Sequence, residues 1–225
     1  MREFDALQGY PEPKNKRVVN SDSRTIENRI IASYRGKEFY DGSRNNGYGG
    51  MVNDGRWLPV AKNMINWYGL HEDSSVLQIG SDKGFLLEAF KSHLRNIKVS
   101  GVEISEYARN RTSPQIRDSI IISPFTHIPH DDKAFDLVIA IGPVYSLNLS
   151  DAIRCLKEIK RVSKGKSFIT LGSYSNDEDR NLFLQWTLLG TTILSKKDWL
   201  KVLEHVAYQG DYKFNTSESL GLIKE

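Results

Sequence analysis

The chain has 225 residues, 39% of them hydrophobic and 26% charged, with a net charge of +3. That is one domain of ordinary size with enough apolar material for a core, and no apolar run approaches the roughly 18 residues of a membrane span. The charge is small and evenly mixed, which argues against nucleic acid. The opening MREFDALQGYPEPKNKR lacks a signal peptide's apolar stretch, and the single Cys155 leaves no internal disulfide, so a cytoplasmic home is expected.

Residues 1–23 are polar, hold Pro11 and Pro13, and show no sustained period, so they read as a loosely docked arm. Ile26, Ile30 and Ile31 fall at helical spacing and predict a short amphipathic helix. The glycine-rich YDGSRNNGYGGMVNDGRW (40–57) excludes a regular helix and reads as either a flexible linker or a lid that folds over a ligand. Tyr40, Tyr48, Arg56 and Trp57 are its contact candidates, with a core position as the alternative for Trp57. Pro59 suits the first turn of a helix whose apolar face is Val60, Met64 and Trp67. The expected organisation is an arm (1–23), a helix and lid (24–57) and a main domain (58–225).

Beyond Gly69, strand-like runs alternate with helical ones. The strands are VLQI (76–79), KVSGVEI (98–104), SIII (119–122), FDLVIAI (135–141) and SFITLGS (167–173), with helices at 84–94, from Ser105, at 150–162 and near 177–186. This rhythm predicts an α/β fold, a parallel sheet with helices on both faces, and the nearly all-apolar 135–141 reads as a central strand. A helix at 195–206 and a two-strand tail, read as an antiparallel pair, close the chain. Trp186 and Trp199 fall on helical patterns and are expected in the core.

In such sheets ligands bind beyond the carboxyl ends of the strands, where strand order reverses. The loop Gly80-Ser81-Asp82-Lys83-Gly84 follows the first strand, so it is the candidate cradle. Gly80 permits close approach of a ligand to the backbone, and Gly84 opens a helix whose free N–H groups favour an anion. Glu103 ends the next strand, well placed to accept hydrogen bonds from two ribose hydroxyls.

VLQIGSDKGFLLEAF, GVEIS, IPHDDKAFDLVIA and LKEIKRVSKGKSFI together resemble the class I S-adenosylmethionine-dependent methyltransferases over about residues 56–223. The resemblance is closest to members with a GYGG…DGRW segment, here Gly47–Gly50 and Asp54–Trp57, which are small-molecule or sugar methyltransferases. It implies a seven-stranded, mostly parallel sheet with an antiparallel last strand. It also implies S-adenosylmethionine as cofactor, with S-adenosylhomocysteine as product. By position, Gly80, Ser81 and Gly84 would wrap the methionine part, Glu103 the ribose, and Ile104 and Phe125 the adenine, with Gly142 at the methyl end. Three positions depart from the family pattern. Gln78 replaces a carboxylate, a loss of about 1–3 kcal/mol in cofactor binding; Asp82 replaces a small residue and can restore that charge; Pro124 replaces an adenine-side acceptor.

The segment after the 135–141 strand faces the methyl group in this fold, making Tyr145 and Asn148 acceptor-side candidates, with core and helix-capping roles as their alternatives. His127 is a further candidate base. HIPHDD (127–132) holds four possible metal ligands but reads as a turn, and no metal is expected. The leading function is methyl transfer to a small polar acceptor, best a sugar or nucleotide-sugar hydroxyl in surface glycan biosynthesis. A non-catalytic partner subunit or homodimer is the alternative, and RNA methylation comes third.

Overall fold

The computed structural model describes residues 1–12, 15–20 and 23–225; Pro13 of the expected arm lies outside them. The chain begins with β1 (Arg2–Glu3), β2 (Arg17–Val19), α1 (Ile26–Ser33), α2 (Lys37–Asp41) and α3 (Leu58–Tyr68). The first half of the sheet follows as β3 (Ser75–Ile79), α4 (Phe85–His93), β4 (Lys98–Glu103), α5 (Glu106–Asn110), α6 (Pro114–Arg117) and β5 (Ile120–Ile122). The second half comprises β6 (Leu137–Ala140), α7 (Pro143–Ser146), α8 (Leu149–Val162), β7 (Ser167–Tyr174) and α9 (Asp177–Trp186). The chain closes with β8 (Leu194–Ser195), α10 (Lys196–His205), β9 (Asp211–Asn215) and β10 (Leu222–Lys224).

The sheet runs β1-β9-β7-β6-β3-β4-β5, with β8 beside the end of β7. Strand order reverses at β3, which pairs with both β4 and β6. β6 is buried along its length, as its apolar run requires. Helix α8 turns Cys155, Leu156, Ile159 and Val162 onto one face of the sheet, where α10 adds Trp199 and Leu203. On the other face α3 and α4 bury Val60, Met64, Leu86 and Phe90. Asn148 caps α8 by accepting from the Asp151 amide, and Pro59 sits in the first turn of α3.

The described pairings are all parallel, so the expected antiparallel last strand is corrected. The α10 crossover brings β9 into the sheet in the same sense as β7, and parallel neighbours need such a crossover. The tail strands do not pair with each other. A turn closed by Thr216 and Ser219 diverts the chain, and β10 pairs with β2 in a separate two-stranded sheet.

The N-terminal segment is also not loose. β1 covers the edge of β9, Arg2 grips Asp211 at 2.7 Å, Phe4 packs edge-on against Trp67, and Ala6 is fully buried. Helix α1 forms where its spacing predicts, capped by Thr25 and Asn28, but Ile26 (64% exposed) and Ile30 (49%) face solvent rather than the core. Trp67 remains half-exposed beneath Phe4.

Candidate active site

The cradle begins where β3 ends. Gly80 adopts φ +67°, and a Cβ there would lie 2.4 Å from Pro143 Cγ, so both backbone and space demand glycine. Asp82 takes φ +50° with a side chain present, a strained choice. Gly84 is enclosed by Ile116 and Thr112, so its missing side chain serves the packing of α4 rather than ligand approach. Ser81 turns its Oγ toward the Gly101 backbone, away from the crevice, and finds no hydrogen-bond partner there. Gln78 is buried; its Nε2 makes only a long contact to the Gly80 carbonyl, and its Oε1 has no partner among the described residues.

Glu103, fully buried at the end of β4, is wired into this loop. Its Oε2 accepts from the Asp82 amide at 2.8 Å, and Oε1 accepts from the amides of Ile104 and Ser105 at 2.9 and 3.0 Å. A carboxylate offers about four acceptor sites, so one remains for a ligand hydroxyl. Burial, reinforced by the Asp82 carboxylate, pushes Glu103 up to about 7 against these amides. Burial raises Asp82 as well, opposed by the charge of Arg35 and by two tyrosine hydroxyls.

Those hydroxyls come from the lid. Tyr40 donates to Asp82 Oδ1 and Tyr48 to Oδ2, both at 3.0 Å. Tyr40 is fully buried and stacked between Tyr48 and Tyr107. Lys83 fixes the base of the lid, bridging both Asp41 oxygens (2.6 and 2.8 Å) and the Met51 carbonyl, while Tyr107 donates to the same carboxylate. The 40–51 part of the lid is therefore folded onto the cradle.

Sequence reading missed Lys83 and Arg35. Lys83 had a signal, a long cation between two loop glycines. Arg35 had none, standing in a turn between two short helices at φ +45°. Its guanidinium reaches Ser146 Oγ at 3.4 Å, and its charge bears on Asp82 and Glu103.

Other candidates fall elsewhere. Arg56 is held by Asp54 at 2.6 Å and touches Tyr10, so it does not reach the cradle. Trp57 packs on Tyr10 and the α3–α4 core and lines a surface cavity of about 660 Å³ along α4. Asn148 is consumed as the α8 cap. His127 is exposed and lies beside Glu158 of α8. Phe125 is buried beneath Gly80, leaving Ile104 (41% exposed) as the apolar surface at the mouth. Gly142, at φ +102°, leaves open space with only the Tyr145 hydroxyl at its limit. Burial raises the Tyr145 phenol, so its hydroxyl carries a proton to donate. Trp199 is in the core, but Trp186 is half-buried under arginine side chains rather than core-packed. His130 contacts Ser100, and Asp132 pairs with Arg161.

Residues 77–171, from β3 to β7, match the family model described as a methyltransferase domain. The sheet and its flanking helices have the class I methyltransferase fold. Solved structures agree at the level of fold. YcgJ from Bacillus subtilis superposes with a TM-score of 0.54 at 16% identity, over 65% of this chain and 66% of that one. A protein named as a methyltransferase from Bacillus halodurans gives 0.53 at 18% identity, over 65% and 67%. A chain of the Haloferax volcanii complex between the Trm112 methyltransferase activator and a methyltransferase gives 0.51 at 19% identity, over 69% and 77%. No curated protein matches the chain.

The methyltransferase domain implies S-adenosylmethionine as cofactor. The cradle fits a ligand that is cationic at sulfur and ammonium. Glu103 is tied to the loop through the Asp82 amide, the Asp82 carboxylate adds a second negative charge nearby, Gln78 Oε1 has no partner among the described residues, and Glu103 retains one free acceptor site.

Proposed function

We propose that the protein is an S-adenosylmethionine-dependent methyltransferase whose acceptor is small and polar, a hydroxyl of a sugar or nucleotide-sugar in cytoplasmic surface-glycan synthesis. The observation that carries this reading is the pair Asp82 and Glu103 at the carboxyl ends of β3 and β4, a half-buried and a fully buried carboxylate tied together through the Asp82 amide and suited to cationic and hydroxyl partners. In this reading Glu103 holds the ribose and Gln78 the ammonium, while Ile104 packs on the adenine.

When bound, the cofactor would supply an electrophilic methyl group for in-line displacement, its C–S bond breaking as the acceptor oxygen forms the new bond and the hydroxyl proton passing to solvent. The chain's task is then to align the acceptor and exclude water. Tyr48 and Tyr40 close over the cradle and limit access to a small molecule. Tyr145, protonated beside Gly142, donates to the acceptor and fixes its orientation. Arg35 offers a cation for an acidic acceptor. The test is methyl transfer from labelled cofactor to a panel of sugars and nucleotide-sugars. Tyr145→Phe should lower kcat/KM by about ten-fold, the worth of one hydrogen bond; an unchanged value would remove Tyr145 from the acceptor site.

A second reading, a non-catalytic partner subunit, is favoured by Ile26, Ile30 and Tyr34. These are exposed along one face of α1 at i, i+4 and i+8. It requires a folded protein that binds no cofactor.

A further inference from the structure

Three arginines converge on one indole at the edge of the lid. The guanidinium carbons of Arg24, Arg17 and Arg44 lie 3.8, 5.4 and 6.0 Å from the Trp186 ring centroid. Among the described residues none of the three has a carboxylate within 4 Å. Among the described residues Arg17 donates only to the Leu220 carbonyl, and Arg44 only to the carbonyls of Gly47 and Tyr48. Arg24, half-buried, stacks on the indole without a side-chain hydrogen bond to any described residue.

This arrangement is unfavourable as it stands. Arg24 occupies φ +58°, a conformation that strains a residue with a side chain. Burial, reinforced by the charges of Arg44, Arg17 and Arg29, brings its pKa down to about 10. Cations stacked on an aromatic face, crowded together and left with free planar donor forks, match the bidentate demands of phosphoryl oxygens. The cluster also touches the cradle through one loop. Arg44 holds the Tyr48 carbonyl, and the Tyr48 hydroxyl holds Asp82.

We propose that Arg17, Arg24 and Arg44 form, on the face of Trp186, a binding site for the phosphate or pyrophosphate group of the acceptor. Assigning that group to the acceptor rests on the methyltransferase reading; the anion site itself does not. The site would select phosphorylated acceptors over neutral sugars and hold the lid in its folded position as they bind.

The experiment is calorimetric titration of the full chain with inorganic phosphate, inorganic pyrophosphate and a nucleoside diphosphate at fixed ionic strength. S-adenosylhomocysteine is titrated in parallel. Pyrophosphate and the nucleoside diphosphate should bind, with affinity falling about ten-fold or more in Arg24→Gln and in Arg44→Gln. S-adenosylhomocysteine affinity should stay unchanged in Arg24→Gln, and in Arg44→Gln, whose side chain also holds the Tyr48 carbonyl, it should fall less than pyrophosphate affinity. Arg44 is exposed on a loop, so its variant keeps the test open if Arg24→Gln fails to fold. Absence of binding, or equal binding by wild type and folded variants, would overturn the anion site. A single-stranded RNA that binds these arginines more tightly than pyrophosphate would overturn its assignment to a small acceptor. Pyrophosphate binding without S-adenosylhomocysteine binding would sink the methyltransferase reading and leave the anion site standing.

Discussion

The carboxyl of Glu103 ties the stability of this fold to pH. In the folded chain it is pushed from its ordinary 4.5 up to about 7, first by burial and then by the Asp82 carboxylate. Between these two values the folded state binds more protons than the unfolded state, so stability falls as pH rises and levels off above about 7. The span corresponds to about 3 kcal/mol at most. Glu103→Gln is the perturbation that isolates it, because the amide imitates the protonated acid and does not titrate. Other groups move in the same window, His130 among them with the opposite sign, since burial lowers its pKa. The difference between wild type and Glu103→Gln removes His130 and other distant groups and reports Glu103 together with its interacting neighbour Asp82. Urea unfolding from pH 4.5 to 8 should show Glu103→Gln gaining on wild type by up to about 3 kcal/mol. A difference that is flat, or that favours wild type as pH rises, would refute the argument and mean that Glu103 ionises normally.

Two further substitutions probe the same region. Lys83→Met leaves Asp41 half-buried without its cation, and should destabilise the fold by about 3 kcal/mol. It should also speed proteolysis within residues 40–57, and unchanged cleavage would free the lid from the Lys83 anchor. Gln78→Asp places a third carboxylate beside Asp82 and Glu103, so it should lower the ligand-free Tm and tighten S-adenosylhomocysteine by about ten-fold; a lower Tm with no gain in affinity would mean Asp82 already supplies that charge.

What could be read from the sequence followed local rules. The all-apolar LVIA of β6 and the stripe of Cys155, Leu156, Ile159 and Val162 on α8 belong to elements whose period reveals their burial. Gly80 was legible because a tight strand-to-helix turn needs a residue free to take positive φ. The alternation in DYKFN identified β9 as a strand, but its direction depends on the α10 crossover and its partners lie in β7 and β1. The pairing of β10 with β2 joins segments about 200 residues apart and leaves no local signal. The tyrosine latch on Asp82 is equally tertiary. Tyr40 and Tyr48 were expected to meet a ligand, and they bind a cradle carboxylate instead because three stacked rings bring their hydroxyls onto it. Arg56 failed as a site residue because Asp54, two positions away, satisfies it locally.

The most direct test of the central claim is calorimetric titration of the folded protein with S-adenosylhomocysteine, beside Glu103→Ala with its Tm measured. Wild type should bind in the micromolar range, and the variant should lose affinity to a greater extent than it loses thermal stability. A folded wild type that takes up no heat at millimolar ligand would contradict the claim, and would leave the cradle of Asp82 and Glu103 as a closed structural element beneath the lid.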